Sequence, residues 1–159
     1  MRKKDLDFLL GAWNVERSID DTFSGDAGTF HGTATFVRED DDSRVRFDET
    51  GFVHFGEYSG RASRHLYLTR GSGSSINVRF ADGHHFITLE LHEGFSRDHH
   101  QCQDDGYDVT TVVLSDDLIE ERWRVRGPKK DYEAVTLMTR LSEPVVDSTL
   151  GRRAPRASR

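Results

Sequence analysis

Between Arg97 and Val109 the chain runs RDHHQCQDDGYDV, with two histidines, a cysteine, a tyrosine and several aspartates close together. Such groups suit three kinds of chemistry. An imidazole oriented by a carboxylate acts as a general acid or base, and a tyrosine hydroxyl donates to a developing oxyanion. A cysteine beside a histidine becomes a nucleophile. Histidine, cysteine and aspartate are also zinc ligands. The choice depends on which side chains share a face. If residues 97–103 and 107–114 form a hairpin across QDDG, then His100, Cys102 and Tyr107 point inward and Asp105 sits near them in the turn. His99 and Gln101 take the other face. The catalytic candidates are therefore His100, with Asp105 or Glu49 orienting it, and Tyr107 as donor. Zinc is poorly served, because side chains two apart on a strand have Cβ atoms about 6.5–7 Å apart and no CxxC or HxxxH spacing occurs. Cys102 also fits a small buried apolar residue.

Alternation orients other polar residues. In RWRVR the arginines face water, leaving Trp123 and Val125 inside. In VRFDET the inward set is Val45, Phe47 and Glu49, and in WNVERSID it is Trp13, Val15, Arg17 and Ile19. Unpaired buried charge is costly, so Arg17 and Glu49 are expected to meet each other, water or a ligand. They form either a structural ion pair closing one end of the interior or an anchor for the acid group of a small apolar molecule. The ligand-binding candidates are Arg17, Glu49, His100, Cys102, Tyr107, Trp123 and Tyr132. Gly32 and Ala34 are expected to leave room beside Phe30 and Phe36. The facing of His65 and Tyr67 is open because Leu66 and Leu68 compete with them. The last strand is equally open, Val135 and Leu137 competing with Met138 and Arg140.

These residues lie on short β-rich stretches separated by turn chemistry, at about 12–20, 28–38, 43–53, 58–69, 75–81, 85–91, 97–103, 107–114, 118–126 and 132–141. Asp82-Gly83 suits a two-residue hairpin turn. Short connections imply sequential antiparallel neighbours, and about ten strands close on themselves. The expected fold is all-β, a single up-and-down antiparallel barrel with one short helix at Asp5–Leu10, capped by Asp5 and ended by Gly11. Residues 1–141 form the barrel domain, and residues 142–159, ending in GRRAPRASR, form a disordered basic tail.

A chain of 159 residues is long enough for one core. Its net charge of −6 disfavours nucleic acid as a partner. No segment has the length and apolar character of a membrane span or a signal-peptide core, and the lone cysteine favours a reducing compartment. The expectation is a cytoplasmic protein with a small-molecule partner, no membrane, and a homodimer allowed.

Gly11-Ala12-Trp13, following a short N-terminal helix, resembles the G-x-W signature that opens lipocalins and their calycin relatives. The resemblance implies that an arginine on the last strand packs across the signature tryptophan, and Arg140 in TLMTRL matches. The set GxW, GxFHGxAxF, FDETG, HxCxxDxY and VxGPKKDY is similar to a small uncharacterised lipocalin-like family of single-domain bacterial proteins. That likeness implies the fold and supplies no activity. The last two strands lack the histidine expected of nitrobindin-type haem barrels. Any cofactor is left open, with haem and zinc each less expected than none.

The leading expectation is intracellular binding of a small, largely apolar molecule with a polar or acidic group in the barrel cavity. The alternative is a barrel enzyme of isomerase, cyclase or hydrolase type using His100 and nearby carboxylates. A third class is an interaction module acting through the acidic surface and basic tail.

Overall fold

The computed structural model describes residues 3–39 and 43–142; the expected tail, apart from residue 142, lies outside them. Ten antiparallel strands follow one short helix, α1 (Leu6–Leu9). They are β1 (Gly11–Asp21), β2 (Ala27–Arg38), β3 (Arg44–Phe55), β4 (Tyr58–Arg70), β5 (Ile76–Phe80), β6 (His85–Leu89), β7 (Phe95–Cys102), β8 (Asp105–Ser115), β9 (Leu118–Gly127) and β10 (Lys130–Arg140). The ladder runs β6-β5-β4-β3-β2-β1-β10-β9-β8-β7, so each hairpin pairs locally and β1 joins β10. The result is a nearly closed up-and-down barrel.

The seam lies between β6 and β7, where side chains replace a backbone ladder. The Thr88 N–H donates to the Asp98 carboxylate at 2.7 Å, and the Glu90 N–H donates to the Ser96 hydroxyl at 2.9 Å. These bonds satisfy edge donors that would otherwise be exposed for mispairing.

One end of the barrel is closed. Leu6, Phe8 and Leu9 are buried beneath Trp13, which has no exposed surface. Asp5 makes no side-chain cap bond, so packing rather than capping holds this single turn. Gly11 turns the chain into β1 at a φ of +118°, a conformation L side chains rarely adopt. The Trp13 indole N–H donates to the Leu9 carbonyl at 2.9 Å. The Arg140 guanidinium lies 4.3 Å from the Trp13 ring centroid and donates to the carbonyls of Phe8 and Leu10.

Local geometry departs from expectation at three places. The β5–β6 turn is wider than two residues, with Phe80 N–H donating to His84 carbonyl and Gly83 at a φ of +96°. The β7–β8 turn is tighter, since Cys102 pairs with Asp105 and only Gln103 and Asp104 lie between. Gly32 opens no space: a Cβ there would meet the Thr50 carbonyl at 2.2 Å and the Phe30 ring at 2.9 Å. Gly32 and Gly51 are register partners, and the Phe30 ring fills the room their missing side chains leave.

Candidate functional site

Three charged side chains meet inside the barrel. Arg17 and Glu49 project inward on the regular pleats of β1 and β3, and Arg64 on β4 is the register partner of Glu49. Arg17 grips Glu49 with two bonds, at 3.1 and 2.7 Å, and its Nε donates to the Thr136 hydroxyl at 2.7 Å. Arg64 adds a bond from Nε to Glu49 at 3.0 Å. Glu49 is only 2% exposed. Burial alone would raise its pKa, but the Arg17 hydrogen bonds and the Arg64 and Arg17 charges outweigh it and hold the carboxyl below its ordinary range.

The two arginines are used differently. Arg17 spends its Nε and both terminal nitrogens on Glu49 and Thr136, with Phe30 stacked beneath at 5.1 Å. Arg64 is held by its Nε alone, between the rings of Phe47 at 5.5 Å and Trp123 at 5.4 Å. Among the described residues its two terminal nitrogens have no hydrogen-bond partner. Its planar fork is thus preoriented, with donors left over.

The cluster stands between two cavities. An inner chamber of about 60 Å³ is walled by apolar side chains such as Leu9, Phe36, Leu68, Phe86 and Met138, with Glu121, Thr111 and Thr136 as further polar lining. An outer cavity of about 180 Å³ is lined by Ile19, Tyr132 and Ala134. Arg17, Arg64 and Trp123 border both. Because α1 closes the far end, the outer cavity is the mouth. Burial raises the Tyr132 hydroxyl pKa, and the nearby Tyr107 adds to the rise.

The histidine-rich segment is arranged otherwise. His100 packs edge-on against Phe80 at 5.5 Å and Phe86 at 5.3 Å, and tilts against Tyr107 at 5.9 Å. Among the described residues no hydrogen bond reaches its ring. Asp105 does not orient it; Lys130 takes that carboxylate at 3.1 Å and donates to the Tyr107 hydroxyl at 2.9 Å. Hydrogen bonds to Tyr107 and then Asp105 hold the Lys130 ammonium charged well above the ordinary lysine range. Cys102, expected to be enclosed, is exposed. It shares the His100 side of β7 but lies opposite Asp105, at the last pair before the turn. The structure joins His100, Tyr107 and Trp123 through ring contacts and leaves Asp105 and Cys102 at the rim.

The open facings resolve. Leu66 and Leu68 line the chamber, and Tyr67 lies outside, with the Arg44 guanidinium 4.0 Å above its ring. His65 packs edge-on against Tyr67. On β10, Tyr132, Ala134, Thr136 and Met138 border the cavities, while Leu137 is exposed. Sequence reasoning missed Arg64, Glu121 and Thr136. Extending the Trp123 phase back by two residues would have found Glu121. Among the described residues no group of three or more His, Cys, Asp or Glu could hold a metal ion, and no helix is long and apolar enough to cross a membrane.

The same barrel occurs elsewhere at low sequence identity. The S-type phycobiliprotein lyase CPES from Guillardia theta is similar with a TM-score of 0.63 at 10% identity, over 87% of this chain and 91% of that one. A protein of unknown function from the DUF3598 family of Nostoc punctiforme PCC 73102 is similar with a TM-score of 0.54 at 17% identity, over 87% of this chain and 49% of that one. These likenesses show the fold. No curated protein matches the sequence. Residues 9–140 match the family of unknown function DUF6314, and the chain belongs to that family.

Proposed function

We propose that the barrel binds a small, largely apolar molecule bearing an anionic group, with that group on Arg64 and the apolar body against Trp123, which borders both cavities. The observation that carries this reading is the state of Arg64. Glu49 fixes its Nε at 3.0 Å, two rings flank it, and it lines both cavities with no acceptor for its terminal N–H groups among the described residues. A guanidinium so placed offers paired donors to a carboxylate or similar oxyanion. Two guanidiniums share the Glu49 carboxylate here, and Arg64 gives it only its Nε, so the paired terminal donors of Arg64 remain for an anion. The apolar walls provide the remaining affinity. An exposed lone thiol at Cys102 fits a reducing compartment such as the cytoplasm.

Calorimetric titration with 2-naphthoate and its neutral amide tests this. The acid is expected to bind, and Arg64→Leu to weaken it about tenfold or more while changing the amide little. No binding of the acid, or equal affinity in the variant, would remove the proposal.

A further inference from the structure

A row of interior side chains crosses the sheet below the anchor. Arg17 on β1 pairs with Thr136 on β10, Thr136 with Glu121 on β9, and Glu121 with Thr111 on β8. The near end of the row is satisfied, Arg17 donating to the Thr136 hydroxyl at 2.7 Å. The far end is not. Thr111 is 5% exposed and its hydroxyl has no hydrogen-bond partner among the described residues. Glu121 makes no hydrogen bond or ion pair among the described residues, although Arg64 and Arg17 line the same chamber. Folded interiors leave few groups like the Thr111 hydroxyl unpaired, so that hydroxyl, beside the half-buried Glu121 on the chamber wall, points to a missing partner.

We propose that Glu121 and Thr111 form a second subsite for the same molecule, one that takes a hydrogen-bond donor such as an amino or ring N–H group. This deepens the proposed function and rests on it. A carboxylate only accepts, and a threonine hydroxyl can accept beside it, so the pair suits an N–H-bearing end and disfavours a second anion. An apolar end would cover the half-buried Glu121 and leave both groups unsatisfied. The distances suit one molecule. Trp123 is the next inward residue along β9 from Glu121, about 7 Å away on the same face, and the Arg64 guanidinium lies 5.4 Å from its ring, so a flat body on Trp123 reaches from one group toward the other. The bound molecule is thus a flat apolar body on Trp123, with its anion at Arg64 and its donor at the inner wall. The chamber of about 60 Å³ admits a small group there and not a second ring.

Two matched probes separate this from simple anion binding. 6-Amino-2-naphthoate and 6-methyl-2-naphthoate have nearly the same shape, and only the first carries a donor. Titrated into the full chain, the amino compound is expected to bind about tenfold more tightly. Thr111→Val, which keeps the side-chain shape, reduces that ratio to about threefold, and Glu121→Leu brings it to about one. Thermal melts establish that each variant is folded, and the valine variant carries the test if the leucine one is not. Equal affinity of the two probes in the wild type, lost for both in Arg64→Leu, overturns the inner subsite and leaves the anchor standing. Binding of neither probe overturns both.

Discussion

Arginines sit at both ends of this barrel, and they are finished differently. At the closed end Arg140 lies over Trp13 and donates to the carbonyls of Phe8, Leu10 and Asp116, with the Asp117 carboxylate beside it. Chain atoms take the donors it points at α1, and its work is to lock that helix into the barrel. At the open end Arg64 is fixed through one nitrogen, and its terminal donors are left for something else. Saturation separates a structural guanidinium from one poised to bind, while burial and ring stacking are common to both.

The sharpest way to break the comparison is at the closed end. Trp13→Ala removes the ring beneath Arg140 and the bond to Leu9, and leaves a cavity under α1. It should cost about 3–5 kcal/mol, the usual range for truncating a buried tryptophan. Urea unfolding measures it. A loss under about 1 kcal/mol would mean that the helix and its lock contribute little.

Glu49 ties the open-end cluster to stability, because a buried carboxylate is safe only while a guanidinium stays on it, and Arg17 holds it with two bonds. Glu49→Leu leaves the half-buried Arg17 without its carboxylate partner and should cost on the order of 3 kcal/mol. Replacing Arg17 and Glu49 together with leucines should recover much of that loss. The acid dependence has a definite sign. Glu49 has a folded-state pKa below its ordinary value of 4.5, so its contribution is complete above that value and is lost as pH falls through the folded one. Glu49→Gln should therefore be less stable than wild type at neutral pH, with the gap closing in acid. A gap independent of pH between 7 and 3 would show that the ion cluster does not contribute in this way.

How legible this was depended on what surrounded each residue. Arg17 and Glu49 stand in runs where polar and apolar positions alternate cleanly, so pleat periodicity placed them inside. Arg64 stands in RASRHLYLTR, where Tyr67 occupies the outer face because Arg44 and Arg46 stack on it. An aromatic outside and an arginine inside invert the usual signal. Glu121 was masked by its neighbours: three consecutive charges, Glu120, Glu121 and Arg122, read as solvated although Ile119 and Trp123 share its phase. The barrel itself was easier, since strand lengths, short turns and the helix before Gly11 are local features, whereas pairing across the interior is not.

At the open end the expected effect on stability is smaller. Arg64→Leu removes a side chain with about a third of its surface exposed, and Arg17 keeps Glu49 paired. Stability should change by under about 1 kcal/mol, the scale of partly exposed ion pairs. Binding of 2-naphthoate should nonetheless drop about tenfold. A variant that unfolds as readily as Glu49→Leu would make Arg64 a structural residue like Arg140 and erase the difference between the ends.

The smallest effect belongs to Cys102, and it tests how far the enclosed interior extends toward the rim. Pleat alternation puts Cys102 on the same side of β7 as His100, yet a side chain's face and its depth are separate matters. His100 lies opposite Tyr107 with Phe80 and Phe86 against it, whereas Cys102 lies opposite Asp105 at the last pair before the turn. Its thiol is exposed, so a folded chain should react with a disulfide reagent almost as fast as an unfolded one, and Cys102→Ser should change stability by less than about 0.5 kcal/mol. Strong protection of the thiol in the folded state would extend the enclosed interior one pair further, bring Cys102 and His100 under a common cover, and return the pair to consideration as part of the site.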